Sequence, residues 1–253
     1  MNKVVIFGKG RVGDATEMTL RTNADFHDPF RGYEVKDFSG YDLAITCVPS
    51  LVDGPDDYEA LMDNLACLDR DGFKGLFVVR CTVAPIFFKI AKSAYPHIKT
   101  IHFPEFMRQQ EDAKMDTPWI LVLGGDEELT RPFGEWLVER GYGTRDLFHF
   151  VNTDESCLIK LHQNAGLAIK VVYSNLMYEA CQEYGADYEK VRFGATADVR
   201  VGRGHTQVPG EHGFGFAGHC LPKDVTCLST ASNNRGFWSK VLEINKELRE
   251  KNV

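Results

Sequence analysis

The stretch KVVIFGKGRVG, residues 3–13, decides the fold. Its first five residues form an apolar, β-branched run, which is typical of a buried parallel strand. Gly8, Gly10 and Gly13 follow with the spacing Gly-x-Gly-x-x-Gly, and a helical pattern then continues to about Arg21. Glycines at this spacing let a backbone approach a pyrophosphate, which the N–H groups at the helix start bind. We therefore predict a dinucleotide-binding turn between the first strand and the first helix.

An acidic residue stands at the distance that such a turn requires. Asp28 ends the next predicted strand, 20 positions after Gly8. A carboxylate there accepts hydrogen bonds from the adenosine ribose and favours NAD over NADP. The alternative is a tight turn in an α/β fold that binds no cofactor. The residues of this region that we predict to bind NAD are Gly8, Gly10, Arg11, Val12, Gly13 and Asp28.

The pattern of the chain changes near residue 150. Before it, short apolar strands alternate with amphipathic helices, which predicts an α/β fold with a Rossmann-type, doubly wound, mostly parallel sheet. After it, residues 153–185 keep a helical period for about eight turns, and shorter helices are predicted over 187–197, 223–233 and 236–251. We predict an NAD-binding Rossmann domain over 1–150 and an all-helical domain over 151–253, built on one long central helix.

The composition of the chain argues against several classes of partner, namely nucleic acids, membranes and metal ions. The chain has 253 residues, a net charge of −7 and dispersed Lys and Arg residues, so no nucleic-acid partner is expected. No apolar run reaches the ~18 residues of a membrane span, and the N-terminus does not resemble a signal peptide. We therefore expect a cytoplasmic protein with no membrane partner. The 7 cysteines form no CxxC pair, so neither a metal site nor a disulfide framework is expected.

The segment EHGFGFAGHCLPKD, residues 211–224, carries the most reactive candidate. We predict a glycine-rich loop that presents Cys220 just ahead of a helix beginning near Pro222–Lys223. A helix N-terminus and a nearby lysine both favour the thiolate, which can attack an aldehyde beside a nicotinamide. Asp224 is predicted to act as a base or to orient water. The alternative for any lone cysteine is a buried packing role, which the other six fit.

Three further positions carry candidate polar groups. Lys160 and Asn164 lie four residues apart in the long helix, so they share a face and can hold an oxygen that gains charge. The alternative for Lys160 is an ordinary surface lysine. Glu105 and Thr82 each follow a predicted strand, where open α/β sheets bind ligands. Glu105 is a candidate base for water, or else a surface glutamate, and Thr82 is otherwise a turn residue.

Together these segments resemble the UDP-glucose/GDP-mannose dehydrogenase family. The family's Gly-rich stretch followed by C-L-P-K-D is met by residues 213–224, and its Lys and Asn four apart by LIKLHQNA. Its P-E-F-L-R, S-T-V-P and D-x-R-I-G segments are similar to residues 104–108, 81–85 and 198–202. All occur in the family's order.

The resemblance implies a four-electron oxidation with NAD, in which a sugar-nucleotide C6 alcohol becomes a carboxylate, UDP-glucose to UDP-glucuronate being the expected case. Cys220 would be the nucleophile and Glu105 the base for thioester hydrolysis, with Thr82 placing water or cofactor. A homodimer through the helix 153–185 is also implied. The implied cofactor residues add Pro49, Thr82 and Lys223, and the implied substrate residues are Phe106, Met107, Arg108, Lys160, Asn164, Arg200, Phe214, Gly215 and Gly218.

This chain departs from the family in three ways. Family members usually continue into a second Rossmann-like domain, whereas this chain ends at Val253. Gln109 stands where the family often has a glutamate, and the segment between Arg200 and Cys220 is a few residues longer. A minimal enzyme, a fragment and a changed substrate are the alternatives. The competing functions are a two-electron 3-hydroxyacid dehydrogenase, which needs no cysteine loop, and a non-catalytic nucleotide-binding protein.

Overall fold

The computed structural model describes residues 1–51, 54, 57–106 and 119–251. The chain divides into two compact units, and the boundary between Lys160 and Leu161 lies inside one long helix. The first unit contains a sheet with its flanking helices, and the second is helical in its described part. The assignment of residues 1–150 to NAD binding and of 151–253 to dimerisation and catalysis stays a prediction.

Seven strands of the described chain form the sheet of the first unit. They are β1 (Val4–Phe7), β2 (Asp25–His27), β3 (Leu43–Thr46), β4 (Leu76–Val79), β5 (Lys99–His102), β6 (Leu121–Gly124) and β7 (Phe148–Val151). Their order is β2-β1-β3-β4-β5-β6-β7. The first five strands are parallel, β6 runs antiparallel to β5, and β7 runs parallel to β6. The predicted Rossmann-type, mostly parallel sheet is confirmed.

Continuous apolar runs explain why the central strands are buried. Every residue of β1, β3 and β6 is buried, which is typical of strands covered on both faces. Each buried Val, Leu, Ile or Phe side chain stabilises the fold by about 1.5–3 kcal/mol relative to its exposed state. The helices of this unit are α1 (Arg11–Leu20), α2 (Glu59–Arg70), α3 (Ile86–Ala94) and α4 (Glu127–Glu139).

Strand β7 is not among the elements predicted from the sequence. Phe148 and Phe150 pack against the core of the sheet, whereas His149 between them is exposed. This alternation is typical of a half-buried strand at the edge of a sheet. Four residues after a polar turn give a weak signal, so pairing with β6 decides the conformation.

The long helix α5 (Thr153–Glu183) has 31 residues and crosses the boundary between the units. Asn152 and Glu155 cap it reciprocally, since each side chain accepts from the other's backbone N–H at 2.8 and 2.9 Å. Gly185, with a φ of 65°, follows its end. Helices α6 (Tyr188–Ala195), α7 (Cys220–Ala231) and α8 (Arg235–Glu250) follow in the second unit. In the part of the chain that the structure describes, no helix is suited by length and apolarity to span a membrane.

Candidate active site

The glycine-rich turn joins β1 to α1, and packing requires two of its three glycines. Gly8 has a φ of 92°, and a Cβ there would lie 3.1 Å from the carbonyl oxygen of Cys47. A Cβ at Gly13 would lie 2.0 Å from the carbonyl oxygen of Gly8. A Cβ at Gly10, the N-cap of α1, would meet no described atom within 4 Å. Gly10 therefore leaves an open cradle before a helix N-terminus, which fits a pyrophosphate.

The structure brings Asp28 to the same turn. Its Oδ2 accepts a 2.8 Å hydrogen bond from the backbone N–H of Lys9, and Nε of Arg31 lies 3.7 Å from that oxygen. The carboxylate that we predict to bind the ribose thus also holds the turn in place. Other predicted cofactor residues lie nearby in the chain: Arg11 is exposed at the start of α1, Val12 is half-buried, and Pro49 is exposed after β3.

Thr82 and Glu105 follow the neighbouring parallel strands β4 and β5. Thr82 is buried, and its carbonyl oxygen accepts a 2.7 Å hydrogen bond from the Ser50 hydroxyl. The backbone N–H of Glu105 donates to the carbonyl oxygen of Arg80 at 3.3 Å, and its side chain is half-buried. Both residues therefore lie at the sheet edge formed by the carboxyl ends of these strands, where open α/β sheets bind ligands.

Lys160 contacts the segment that carries Glu105. Its Nζ lies 4.9 Å from the ring centroid of Phe106, and only 6% of the residue is exposed. A buried ammonium over an aromatic face is stabilised by the ring's negative face. Lys160 is therefore not an ordinary surface lysine.

Asn164 and Asp224 meet in the second unit. Asn164 Nδ2 donates a 2.5 Å hydrogen bond to Oδ2 of Asp224, and Lys223 Nζ lies 2.6 Å from Oδ1. Asp224 is fully buried, so its carboxylate depends on these two partners to offset its loss of hydration. The amide and the ammonium together hold the carboxylate in one orientation.

Cys220 is the first residue of α7 rather than a loop residue ahead of a helix that begins near Pro222. Pro222 lies in the first helical turn, where N–H groups have no partner within the helix, so proline is tolerated. Cys220 is the exposed one among the seven cysteines. Asp224 follows it by four residues and so shares its face of the helix. By contrast, burial raises the pKa of the Cys47 thiol to about 11.

Four of the other predicted substrate residues lie in the second unit. Arg200 is exposed, and its guanidinium binds the carboxylate of Asp198 at 2.5–3.0 Å. Phe214 lies 5.6 Å from the Tyr178 ring, Gly215 is buried, and Gly218 is exposed with a φ of 79°. Met107 and Arg108, like Gln109, lie outside the described residues.

Two buried basic residues near the strand exits are absent from the sequence predictions. His102 ends β5, where its Nε2 donates to the Cys81 carbonyl oxygen at 3.1 Å and its Nδ1 accepts from the Ser156 hydroxyl at 2.8 Å. Burial lowers the pKa of His102 to about 3. The Arg80 guanidinium lies 4.4 Å from the Phe103 ring centroid, and its Nε has no hydrogen-bond partner within the described residues. A basic residue that ends or follows an apolar strand is the signal that would have found both.

Comparison with known proteins identifies relatives of both units. Residues 154–251 match the model of the UDP-glucose/GDP-mannose dehydrogenase family, central domain. The UDP-glucose 6-dehydrogenase TuaD of Bacillus subtilis is 33% identical over 125 residues, 49% of this chain and 24% of that protein. The UDP-glucose 6-dehydrogenase of Rickettsia felis is 29% identical over 182 residues, 66% of this chain and 38% of that protein. The resemblance predicted from the sequence is confirmed, over less than half the length of these relatives.

Solved structures share the fold. A UDP-glucose dehydrogenase from Pyrobaculum islandicum matches 98% of this chain and 68% of its own, with a TM-score of 0.78 and 19% identity. A 3-hydroxyisobutyrate dehydrogenase from Mycobacterium tuberculosis matches 98% of this chain and 93% of its own, with a TM-score of 0.71 and 17% identity. At such identities these likenesses establish the architecture only. Among the described residues, no cluster of three or more His, Cys, Asp or Glu side chains is arranged to hold a metal ion.

Substitution of Gly10 and Gly13 by alanine separates packing from cofactor binding. We expect Gly10→Ala to change the free energy of unfolding by less than about 0.5 kcal/mol, because its Cβ meets nothing, but to weaken NAD binding about tenfold or more. We expect Gly13→Ala to destabilise the fold by about 1–3 kcal/mol, because its Cβ overlaps the Gly8 carbonyl. Urea unfolding and NAD titration measure the two effects. Unchanged NAD affinity in Gly10→Ala would refute the predicted pyrophosphate cradle.

Acid should destabilise the first unit through His102. Its pKa is about 3 in the folded chain and 6.5 in the reference state, so below pH ~6.5 the unfolded chain binds a proton that the folded chain does not. The free energy of unfolding therefore decreases as the pH is lowered. At pH 5 this residue reduces it by about 2 kcal/mol relative to neutral pH. Urea unfolding at pH 7.5 and 5.0 should show that His102→Gln loses this part of the pH dependence. An identical pH dependence in both proteins would contradict the assignment.

Proposed function

Because residues 154–251 match the model of the UDP-glucose/GDP-mannose dehydrogenase family, central domain, we propose that the chain oxidises a sugar-nucleotide C6 alcohol to the carboxylate with NAD. UDP-glucose, giving UDP-glucuronate, is the substrate we propose first. One observation carries the proposal. The exposed Cys220 stands one turn before Asp224, whose buried carboxylate is fixed by Asn164 and Lys223. A two-electron alcohol oxidation has no step for a thiol, whereas a thiol can carry an aldehyde to the acid through a thiohemiacetal and a thioester.

The first oxidation takes the alcohol to the aldehyde. The ammonium of Lys160 and the amide of Asn164 steady the substrate oxygen as its charge increases, and Asp224 takes the alcohol proton through a water molecule. NAD, when bound, accepts one hydride in each of the two oxidations. Gly8, Gly10, Gly13 and Asp28 would hold it, since the open space at Gly10 and the carboxylate at the turn fit its pyrophosphate and ribose.

The second oxidation passes through Cys220. The thiolate attacks the aldehyde carbon, a C–S bond forms, and the resulting thiohemiacetal loses a hydride to become a thioester. Glu105 takes a proton from the water that attacks this thioester. The C–S bond then breaks, the thiolate is released, and the acid leaves as its carboxylate. Thr82 helps to place the water or the cofactor. Each substrate thus consumes two NAD and one water.

Counting reduced cofactor tests this scheme. With UDP-glucose and NAD, we expect two NADH per substrate consumed, with the sugar acid as product. Cys220→Ser should lower acid formation at least about 100-fold, because the thioester no longer forms, while the control Cys67→Ser, in α2, should match the wild type. One NADH per substrate would indicate a two-electron dehydrogenase instead. No NADH across UDP- and GDP-sugars would favour a non-catalytic nucleotide-binding protein.

We also propose that the chain forms a homodimer through α5. Leu158, Tyr173 and Leu176 are 50, 57 and 42% exposed on one stripe of this helix. A helix of 31 residues is about 46 Å long at 1.5 Å per residue, long enough to supply much of a standard interface. A second copy of the same stripe is the partner that a twofold, self-complementary interface requires.

The dimer is tested by light scattering at micromolar concentration. We expect about twice the chain mass for the wild type and the chain mass for Tyr173→Glu/Leu176→Glu, because charges would be buried in the interface. Phe237→Glu replaces an apolar residue of similar exposure outside α5 and should leave the dimer intact. A monomeric wild-type chain would exclude this interface.

A further inference from the structure

Two asparagines from different helices bind the backbone of the loop that leads to Cys220. Asn175 of α5 accepts a hydrogen bond from the Gly215 N–H at 3.2 Å through its Oδ1. Asn245 of α8 accepts from the Phe216 N–H at 2.6 Å and donates to the Phe216 carbonyl oxygen at 3.0 Å. Asn245 therefore pairs with both polar backbone groups of one residue, as a neighbouring β-strand would.

These amides are buried and satisfied. Asn175 is 1% and Asn245 8% exposed, so each unmade hydrogen bond would cost about 1–3 kcal/mol. The second group of Asn175, Nδ2, donates to the Val171 carbonyl oxygen at 2.8 Å. With each Asn oxygen facing an N–H and each Asn nitrogen facing a carbonyl, no other orientation of the amides satisfies the same partners. Buried polar groups arranged in this way specify one conformation of the loop.

The backbone of the loop at Gly215 packs closely against α8. Gly215 has a φ of 71°, and a Cβ there would lie 2.7 Å from Oδ1 of Asn245 and 3.2 Å from Cδ of Arg249. The Arg249 guanidinium also donates to the carbonyl oxygens of His212 and Phe214. Gly215, which the family resemblance implies as a substrate residue, is thus buried against α8, and this contact by itself excludes a side chain at the position.

Anchoring at Phe216 restricts Cys220 because only three residues separate them. Each residue spans at most about 3.6 Å, so the Cα of Cys220 lies within about 14 Å of that of Phe216. The Phe216 side chain packs in a cluster with Val225 of α7 and with Val241 and Leu248 of α8. Cys220 is the first residue of α7, and helix ends fray, so a fixed loop before it favours the formed first turn.

We propose that Asn175 and Asn245 are positioning residues that clamp residues 215–216 and thereby hold the first turn of α7 and the thiol of Cys220 in their reactive arrangement. The effect on turnover rests on the function proposed above, whereas the effect on the thiol does not. A thiol at a formed helix N-terminus is more reactive than one on a frayed chain, because the N–H groups favour the thiolate. Misplacement of a nucleophile by about 1 Å can cost 100-fold in rate.

The test compares Asn245→Leu with Lys246→Leu, an exposed neighbour on the same helix. In Asn245→Leu we expect iodoacetamide alkylation of Cys220 at pH 7, followed by mass spectrometry, to slow roughly fivefold, with its pH profile moved to higher pH. If the wild type forms NADH, kcat should fall about 10- to 100-fold with the KM for NAD unchanged. Lys246→Leu should behave as the wild type. An Asn245→Leu protein that folds and alkylates at the wild-type rate would overturn the proposal.

A second arm needs no variant, in case Asn245→Leu does not fold. The amides of Gly215 and Phe216 in the wild type should exchange hydrogen at least about 100-fold more slowly than those of the exposed Gly218 and His219. Equal exchange rates would refute the clamp. A wild type that forms no NADH with any sugar nucleotide would refute the proposed function alone, because alkylation and exchange still decide the role of the asparagines.

Discussion

The buried carboxylate of Asp224 is the constraint on which the candidate chemistry depends. An unpaired carboxylate in such a place would lose several kcal/mol of hydration energy. Hydrogen bonds or ion pairs to both of its oxygens are therefore needed to offset that loss. Asn164 comes from α5, so its hydrogen bond to Asp224 joins that helix to α7, whereas Lys223 is the carboxylate's neighbour within α7 itself. Cys220 then takes its place from α7, one turn earlier. This polar contact thus fixes the helix that carries the candidate nucleophile.

Local sequence was sufficient wherever a residue's role depends on its immediate neighbours. The strand-turn-helix at residues 3–13 and the acid at Asp28 follow from spacing alone, and the structure joins them through the Lys9 N–H. Alternation of strands and helices gave the sheet, and unbroken helical periodicity gave α5 within two residues at its end. Lys160, Asn164 and Asp224 were predicted from their spacing and polar character; the structure shows that all three are buried, and their roles stay predictions.

Features that depend on residues far apart in the sequence could not be predicted from local sequence patterns. Strand β7 needs β6 beside it, and His102 needs Ser156, which is 54 positions away. Asn175 and Asn245 both bind the loop before Cys220, from 40 and 29 positions away. An asparagine in a helical pattern is usually a solvated residue, so nothing local distinguishes these two. Even the start of α7 was misplaced, because Pro222 was taken for the helix start when it lies in the first turn.

The continuity of α5 has a consequence for how this chain can change. Lys160 and Asn164 keep their spacing because an unbroken helix sets it, at 3.6 residues and 5.4 Å per turn. Replacing side chains along the helix leaves that phase untouched. Inserting or deleting a single residue between them would rotate Asn164 by about 100° and carry its amide away from Asp224. An unbroken helix therefore accommodates changed side chains here, whereas a changed number of residues between Lys160 and Asn164 would separate their side chains.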